Sequence, residues 1–581
     1  MNVAALFLLA TIAASIGPLL LVGLPGSFAS SGQDADTALL WFHGFADAVR
    51  HGTWWPHWLP EGNRGFGSPT FLFYPPGAYW AATALQSATG LAAPALLVAT
   101  ALLWRAGSAA AAYAWLRTLA TPRAALAATA LFSLQTYNML VNPLVRFAFA
   151  EIAGTCLMLA ALCAAGSRRN LLWLPPAFAA LVLTHLPMAV LAGGVLPAWS
   201  FIAGGASREG LFDAARTLLA CLVGAGVAGA YLAPALVLLP EIYSEGWVTG
   251  GLTTWSGHFL FDPMGWSKVP PVQYLLMNAG LLTLLACGAA LAWHGRRRAP
   301  PLRDRRFAAA AVGLAVLCLL TTRLSWPIWA LLPVLQRVQF PWRLMPYATA
   351  IWAALVALRL DALAAAGVRG GGRIAAGFAL LFALAALWIP FSAVTARLPS
   401  LSRYDWTRLQ FPPPGPRPLA ARNPPEYAPR AAAEAGWRGD DPATDAILRE
   451  GIARSRAAAP GLRIAVDPAG GLRVEGALPR PAEILLPQFA FPGWVVPGAP
   501  PGVALTADHA TGLLRLALPA GVTDLAVVRT ATAPERAGWA VSAAGLMLWL
   551  GLNLFAWRST WLAGAAAPPA RRATVRGAHL P

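Results

Sequence analysis

Uncharged apolar runs follow one another along nearly the whole chain, and the charged residues between them are gathered into short connections. Runs near 2–24, 92–116, 122–138, 149–166, 170–187, 189–206, 211–239, 272–293, 307–322, 344–359, 374–394 and 537–558 read as membrane spans. A helix needs roughly 20 apolar residues to cross the hydrocarbon core, and several of these runs are shorter. The 170–206 hairpin pivots on the "THLP" of Thr184 to Pro187, with 18 residues in each half. The first run has no basic n-region and exceeds the apolar core of a signal peptide, so it predicts a retained helix.

The stretch 395–536 breaks the pattern. It is rich in Pro, Arg and Asp, and its second half carries short alternating runs such as "GLRIAVD", "GLRVEGAL", "AEILLPQF", "GLLRLALP" and "TDLAVVRT". Period-two alternation bounded by turn residues predicts strands of a small antiparallel domain. The expected fold class is therefore mostly α, a polytopic membrane protein of about 12 transmembrane helices, with a small extracytoplasmic β domain before the last helix. The predicted domains are 1–394, with a first outer loop over 25–91; 395–536, β-rich and soluble; and 537–581, a final helix with a basic tail.

Charge sets the orientation. Of 581 residues 57% are hydrophobic and 12% charged, mean hydropathy is +0.56, and the net charge of +18 is almost all arginine. Arg168-Arg169, Arg296 to Arg298, Arg303 to Arg306, Arg369 to Arg373 and Arg571-Arg572 lie in connections that alternate with less basic ones. That is a positive-inside signal, and it predicts both termini in the cytoplasm. It also argues against nucleic acid as a partner, because the positive charge is dispersed among membrane connections rather than built into one basic surface. All five cysteines sit inside apolar runs without a CxxC, so neither a disulfide framework nor a structural zinc site is expected.

The polar residues that remain are few. From Asp36 to Gly52 apolar side chains recur at helical spacing, predicting an amphipathic helix on the outer membrane surface. Asp36 reads either as a helix N-cap or, with Asp34, as a carboxylate pair placed to bind a metal or deprotonate a hydroxyl. "NPLVRFAFAEIAG" sets Arg146 and Glu151 five residues apart, about 140° from a shared face on one continuous helix, so each is expected to meet a different partner. Glu151, at the outer end of an apolar run, is a functional acid or half of an ion pair with Arg146 or Arg343. Arg343 in "VQFPWR" suits bidentate phosphate binding or an interfacial anchor. The loop before it, "SWPIWALLPVL", is apolar and Pro-broken and predicts a re-entrant segment. His185 is structural or catalytic. "GFGSPTFLFYPPGAYW" forms a rigid aromatic lip that grips a lipid or sugar face, or packs at the interface.

In this order, "GQDAD…FADAVRHGTWWPHWLPEGNRGFGSPTFLFYPPGAYW", "VRFAFAEIAG", "LTHLP" and "VQFPWR" resemble the bacterial integral membrane family labelled "6-pyruvoyl-tetrahydropterin synthase-related". The eight histidines are scattered, and no pterin or zinc site of the soluble synthase is recognisable. The resemblance implies the GT-C-like glycosyltransferase architecture. Such enzymes take a sugar from a polyprenyl-phosphate carrier at the outer face of the bacterial cytoplasmic membrane. It carries over Asp34 or Asp36, with Glu151 as a second acid and Arg146 or Arg343 as phosphate binders; His185 is taken beside them as a candidate substrate-binding residue. A divalent metal is compatible with it. Family members commonly have a histidine about four residues after the first-loop aspartate; here those positions are Ala38 and Leu40, and His43, from the next turn, is expected to substitute as a substrate-binding residue.

Two functions follow. One is transfer of a sugar from a polyprenyl-phosphate-linked donor to an envelope acceptor whose identity the sequence does not give. The other is a non-catalytic membrane protein that scaffolds or handles envelope polysaccharide or lipid. Convergence of Asp34, Glu151 and Arg343 on one outer cavity separates them, since reacting groups must come within hydrogen-bond reach.

Overall fold

The computed structural model describes residues 34–167, 170–249, 254–263, 269, 271–301, 304–382, 384, 424–437, 442–467 and 470–566. The expected span at 2–24, most of 374–394 beyond residue 384, and the basic tail lie outside them. The larger helices are α1 (Ala35–Arg50), α2 (Gly77–Thr89), α3 (Ala93–Leu116), α4 (Pro122–Leu134), a π-helix (Tyr137–Arg146), α5 (Phe149–Ala165), α6 (Asn170–Val182), α7 (Leu186–Ala203), α8 (Arg208–Val227), α9 (Gly229–Val237), α10 (Pro271–Trp293), α11 (Arg305–Leu320), α12 (Met345–Ala365), α13 (Pro442–Ala457) and α14 (Ala533–Ala566). Among the described residues seven helical segments are long and apolar enough to cross a membrane, and three shorter apolar helices accompany them. The chain is a multi-spanning, mostly helical membrane protein; the described residues do not confirm a count of twelve.

Three local expectations need correcting. The predicted outer loop 139–148 is wound into the π-helix, with Pro143 inside it, and its residues are almost all buried. Helix α1 does not lie amphipathically on the membrane surface. Leu39, Phe42 and Phe45 are buried, and so are Leu40 and Trp41 on other faces. The aromatic lip covers them: Phe45 meets Phe71 at 4.7 Å and Trp41 meets Tyr74 at 4.5 Å between ring centroids. The run 211–239 is not one helix. It breaks at Ala228, where Ser542 of α14 accepts from Ala230 N at 2.8 Å and donates to Val227 O at 2.7 Å. A side chain inserted into the ladder is an ordinary cause of a helix break. Gly229 and Gly545 permit the approach, since a Cβ at either would collide with the other segment.

Seven strands follow α13, all paired antiparallel: β1 (Leu462–Val466), β2 (Leu472–Leu478), β3 (Ala482–Phe489), β4 (Trp494–Val495), β5 (Ala504–Ala507), β6 (Leu513–Leu518) and β7 (Gly521–Arg529). One sheet runs β1-β2-β7-β4 and the other β3-β6-β5. Alternate side chains, Leu472, Val474, Ile484, Leu486, Leu516 and Val527 among them, fill one core between the two sheets.

This domain is locked to the loop that follows α1. Trp58 Nε1 donates to Gln488 Oε1 at 2.6 Å, Gln488 Nε2 donates to Gly65 O at 3.0 Å, and Phe489 N donates to Phe66 O at 2.6 Å. Gly67, at φ +87°, lies where any Cβ would run into Trp58 and Gln488. A second clasp joins the domain to α14: Glu535, almost fully buried, receives Arg529 at 3.0 and 2.9 Å and lies 2.6 Å from His57 Nδ1.

Candidate functional site

The site is assembled where the π-helix gives way to α5. Phe147 takes φ +49°, a left-handed turn that is costly for an aromatic residue, and it ends the π-helix. The chain therefore changes direction between Arg146 and Glu151. Arg146 Nη1 donates to Glu151 Oε2 at 2.9 Å, so the two residues pair directly, contrary to the expectation of different partners. Both are buried. Long π-helical stretches are rare and concentrate at functional sites.

Glu151 is the hub. Tyr137 OH donates to its Oε1 at 2.6 Å, while Oε2 receives Arg146 and lies 3.7 Å from Arg343 Nε and 4.0 Å from His185 Nε2. Each oxygen accepts one hydrogen bond, and the residue is 1% exposed. It is placed as a counter-charge to Arg146 and Arg343. A buried carboxylate in this setting is held by its partners, and they by it.

Asp34 occupies the N-cap position of α1, yet its side chain caps nothing. Its carboxylate lies 3.4 Å from Arg146 Nη2, and its backbone N donates to Arg146 O at 2.9 Å. The side chain is 47% exposed, unlike that of Glu151. Enclosure by the protein nevertheless pushes its carboxyl above the usual aspartate range, against the pull of Arg146 and Arg343. Asp36 falls in the first turn of α1 and is half-buried, so of the two acids Asp34 is the one seen against Arg146.

Arg343 lies in the 3-10 turn Pro341–Leu344 that leads into α12, directly after a Pro-Trp pair. Its Nη1 donates to Val338 O at 2.5 Å and to Gln339 Oε1 at 3.1 Å, and its guanidinium lies 4.7 Å from the Phe340 ring centroid. Its Nη2 makes no hydrogen bond among the described residues. His185 caps α7: its Nδ1 accepts from Met188 N at 3.2 Å, which places the ring proton on Nε2, the nitrogen that faces Glu151. His43 does not join. It sits about 13 Å along α1 from Asp34 at 1.5 Å per residue. There its imidazole is held below the usual histidine range by burial, with Arg50 adding and Asp47 opposing.

Arg343 and His185 border an elongated cavity of about 480 Å³. Tyr74, Tyr427, Arg337 and Gln339 share its polar end, and α6 to α9 supply an apolar wall. On that wall Leu218, Leu222 and Leu236 remain exposed, so the cavity continues onto an apolar outer face of the helices. Sequence reasoning missed Tyr137, which it placed at the end of the 122–138 span, and it missed Tyr74 as an individual within the lip. The only hint was that a tyrosine in an apolar run needs a partner for its hydroxyl.

Among the described residues no group of three or more His, Cys, Asp and Glu side chains could hold a metal ion. Asp34 has a guanidinium at its carboxylate instead, so the residues present do not fit a divalent metal and no step is routed through one.

No protein-family model matches the chain, and no curated protein does. Solved structures similar to it are those of an Archaeoglobus fulgidus oligosaccharyltransferase. The zinc and sulfate complex is 16% identical with a TM-score of 0.41, covering 67% of this chain and 52% of that one. The apo form is 14% identical with a TM-score of 0.40, covering 77% and 59%. The archaeal enzyme AglB in complex with an inhibitory peptide and a dolichol-phosphate is 13% identical with a TM-score of 0.40, covering 68% and 55%. The chain spans a little over half the length of these structures. Superposition at that level leaves any assignment of activity to the residues of the site.

Proposed function

We propose that this chain is a GT-C-like glycosyltransferase that moves a sugar from a polyprenyl-phosphate donor to an envelope acceptor at the outer face of a bacterial cytoplasmic membrane. The observation that carries this reading is the line of contacts Asp34–Arg146–Glu151–Arg343, whose far end borders a cavity of about 480 Å³ with an apolar wall. A prenyl chain fits the wall between α6 and α9, and its phosphate comes to rest at Arg343. Arginine is suited to this, because its planar fork matches phosphate oxygens.

The acceptor approaches from the side of Asp34, whose carboxylate is the exposed acid of the cluster. Asp34 takes the proton of the attacking hydroxyl, and the sugar passes from the phosphate oxygen to that hydroxyl oxygen. Arg343 steadies the charge left on the departing phosphate, with Arg146 behind it. Arg343 lies in the turn that leads into α12 while Arg359, near the far end of that helix, binds carbonyls of the arginine-rich 291–299 turn. Sixteen residues of helix separate them by about 24 Å. That separation supports a site on the face opposite the basic connections.

The test is transfer of a labelled sugar from a polyprenyl-phosphate donor by the purified full chain, compared with its Asp34→Asn variant. Transfer by the wild type and its loss in the variant support the reading. Equal rates in both overturn it. The position of His43 away from the cluster favours the second reading, a lipid- or polysaccharide-handling protein, and that reading predicts donor binding with no transfer by either protein.

A further inference from the structure

Tyr74 belongs to the aromatic lip, and its hydroxyl has no hydrogen-bond partner among the described residues. Its ring is fixed from several sides, by Trp41 at 4.5 Å, Tyr79 at 6.1 Å and Tyr427 at 6.4 Å between centroids. The backbone beside it is held as well, since Tyr231 OH donates to Phe73 O at 2.7 Å and two prolines follow. Its hydroxyl makes no hydrogen bond among the described residues, and it is not sealed off, because Tyr74 lines the cavity. A tyrosine held this firmly with an idle hydroxyl is unusual, for a phenol in such surroundings ordinarily finds a partner.

The neighbours of that hydroxyl identify the missing partner. Arg343 lines the same cavity; its Nη2 makes no hydrogen bond among the described residues, and its Nε, buried without a hydrogen bond, lies 3.7 Å from Glu151. Its Nη1 is tied down by Val338 O and Gln339 Oε1, so the guanidinium cannot swing away. Tyr74 and Arg343 thus line one cavity, each with a donor that has no partner among the described residues. An oxyanion with several lone pairs satisfies both at once, whereas an apolar chain satisfies neither.

Resting on the donor reading above, we propose that Tyr74 is a substrate-contacting residue: its hydroxyl donates to a non-bridging phosphate oxygen of the lipid donor, beside Arg343 Nη2, and so selects a phosphorylated lipid over the free alcohol. The phenol is suited to donate rather than accept. Burial, with the charge of Asp34 adding, holds its ionisation well above the ordinary tyrosine value, so the proton stays on the oxygen at any working pH.

The experiment is equilibrium binding to the full-length protein in detergent, with a short-chain polyprenyl monophosphate and the polyprenol of the same length as paired probes. Tyr74→Phe keeps the ring and its packing and removes only the hydroxyl. The expected result is binding of the monophosphate weakened about tenfold, as for loss of one hydrogen bond to a charged group, with binding of the alcohol unchanged. Unchanged monophosphate affinity overturns the assignment. So does an equal loss for both probes, which marks a packing defect instead. If the wild type itself binds both lipids alike, the donor reading falls and Tyr74 with it. If the wild type prefers the phosphate yet transfers no sugar, only the reaction is lost.

Discussion

Arg146 and Glu151 meet at 2.9 Å across the left-handed turn at Phe147, with both side chains buried. The pair fixes the geometry of everything around it. Arg146 reaches on to Asp34, and the same glutamate oxygen faces Arg343 and His185.

If Glu151 is the counter-charge of the cluster, its removal is first a stability defect. Glu151→Ala leaves two buried guanidinium groups without their shared carboxylate. The cost expected for breaking such a pair is about 3–5 kcal/mol. A thermal melt of the detergent-solubilised protein checks it; a melting temperature equal to that of the wild type rules the role out. Glu151→Gln, which keeps the Tyr137 hydrogen bond within reach, is expected to lie between the two.

Asp34 is expected to behave in the opposite way. It is 47% exposed and caps nothing, so Asp34→Asn leaves the melt nearly unchanged. Transfer falls by roughly 10²–10⁴-fold, the range for loss of a general base. Asp36→Asn has a much smaller effect. Steady-state rates of the two variants under the same conditions decide between the aspartates.

The pH profile follows from the direction of the Asp34 shift. A base works as the carboxylate, and enclosure raises the pH at which that form is lost. The acid limb of kcat/KM therefore lies above the ordinary aspartate value of about 4. Rates rise as pH increases through it, and the limb vanishes in Asp34→Asn. An acid limb that persists unchanged in the variant assigns it to another group.

Arg343→Lys keeps a positive charge and discards the fork. With Nη1 committed to Val338 and Gln339, a lysine can occupy the phosphate position or those contacts, not both. The expected outcome is a KM for the lipid donor raised about tenfold, the effect of losing one charge-assisted hydrogen bond. Initial rates against donor concentration measure it; an unaltered KM removes Arg343 from the phosphate site.

The clasp between loop and β domain is testable apart from any chemistry. Gln488→Ala leaves Trp58 Nε1 and Gly65 O without partners in a buried contact. The loss expected is about 1–3 kcal/mol. It should appear as faster limited proteolysis between 56 and 67, with no change within the membrane helices.

Much of the architecture was legible along the chain. The alternating runs "GLRVEGAL", "AEILLPQF" and "GLLRLALP" are strands β2, β3 and β6, because a half-buried strand must alternate. Apolar runs such as 92–116 are helices, because backbone polar groups in hydrocarbon have no partner but each other. The residues of the cluster were also conspicuous, since ionisable groups at the ends of apolar runs are costly unless matched.

The sequence by itself determined which elements form and which side chains need a partner. Period, length and desolvation act locally, and they can be read one residue after another. Which partner each side chain finds was decided only by the tertiary structure. A helical projection separates Arg146 from Glu151, and one left-handed residue reunites them. A surface helix was expected at α1, and the lip buried it on several faces. Ser542 broke a run that its own composition would have kept whole. In each case the deciding contact comes from a dihedral or a segment outside the local pattern, and a linear pattern holds no record of it.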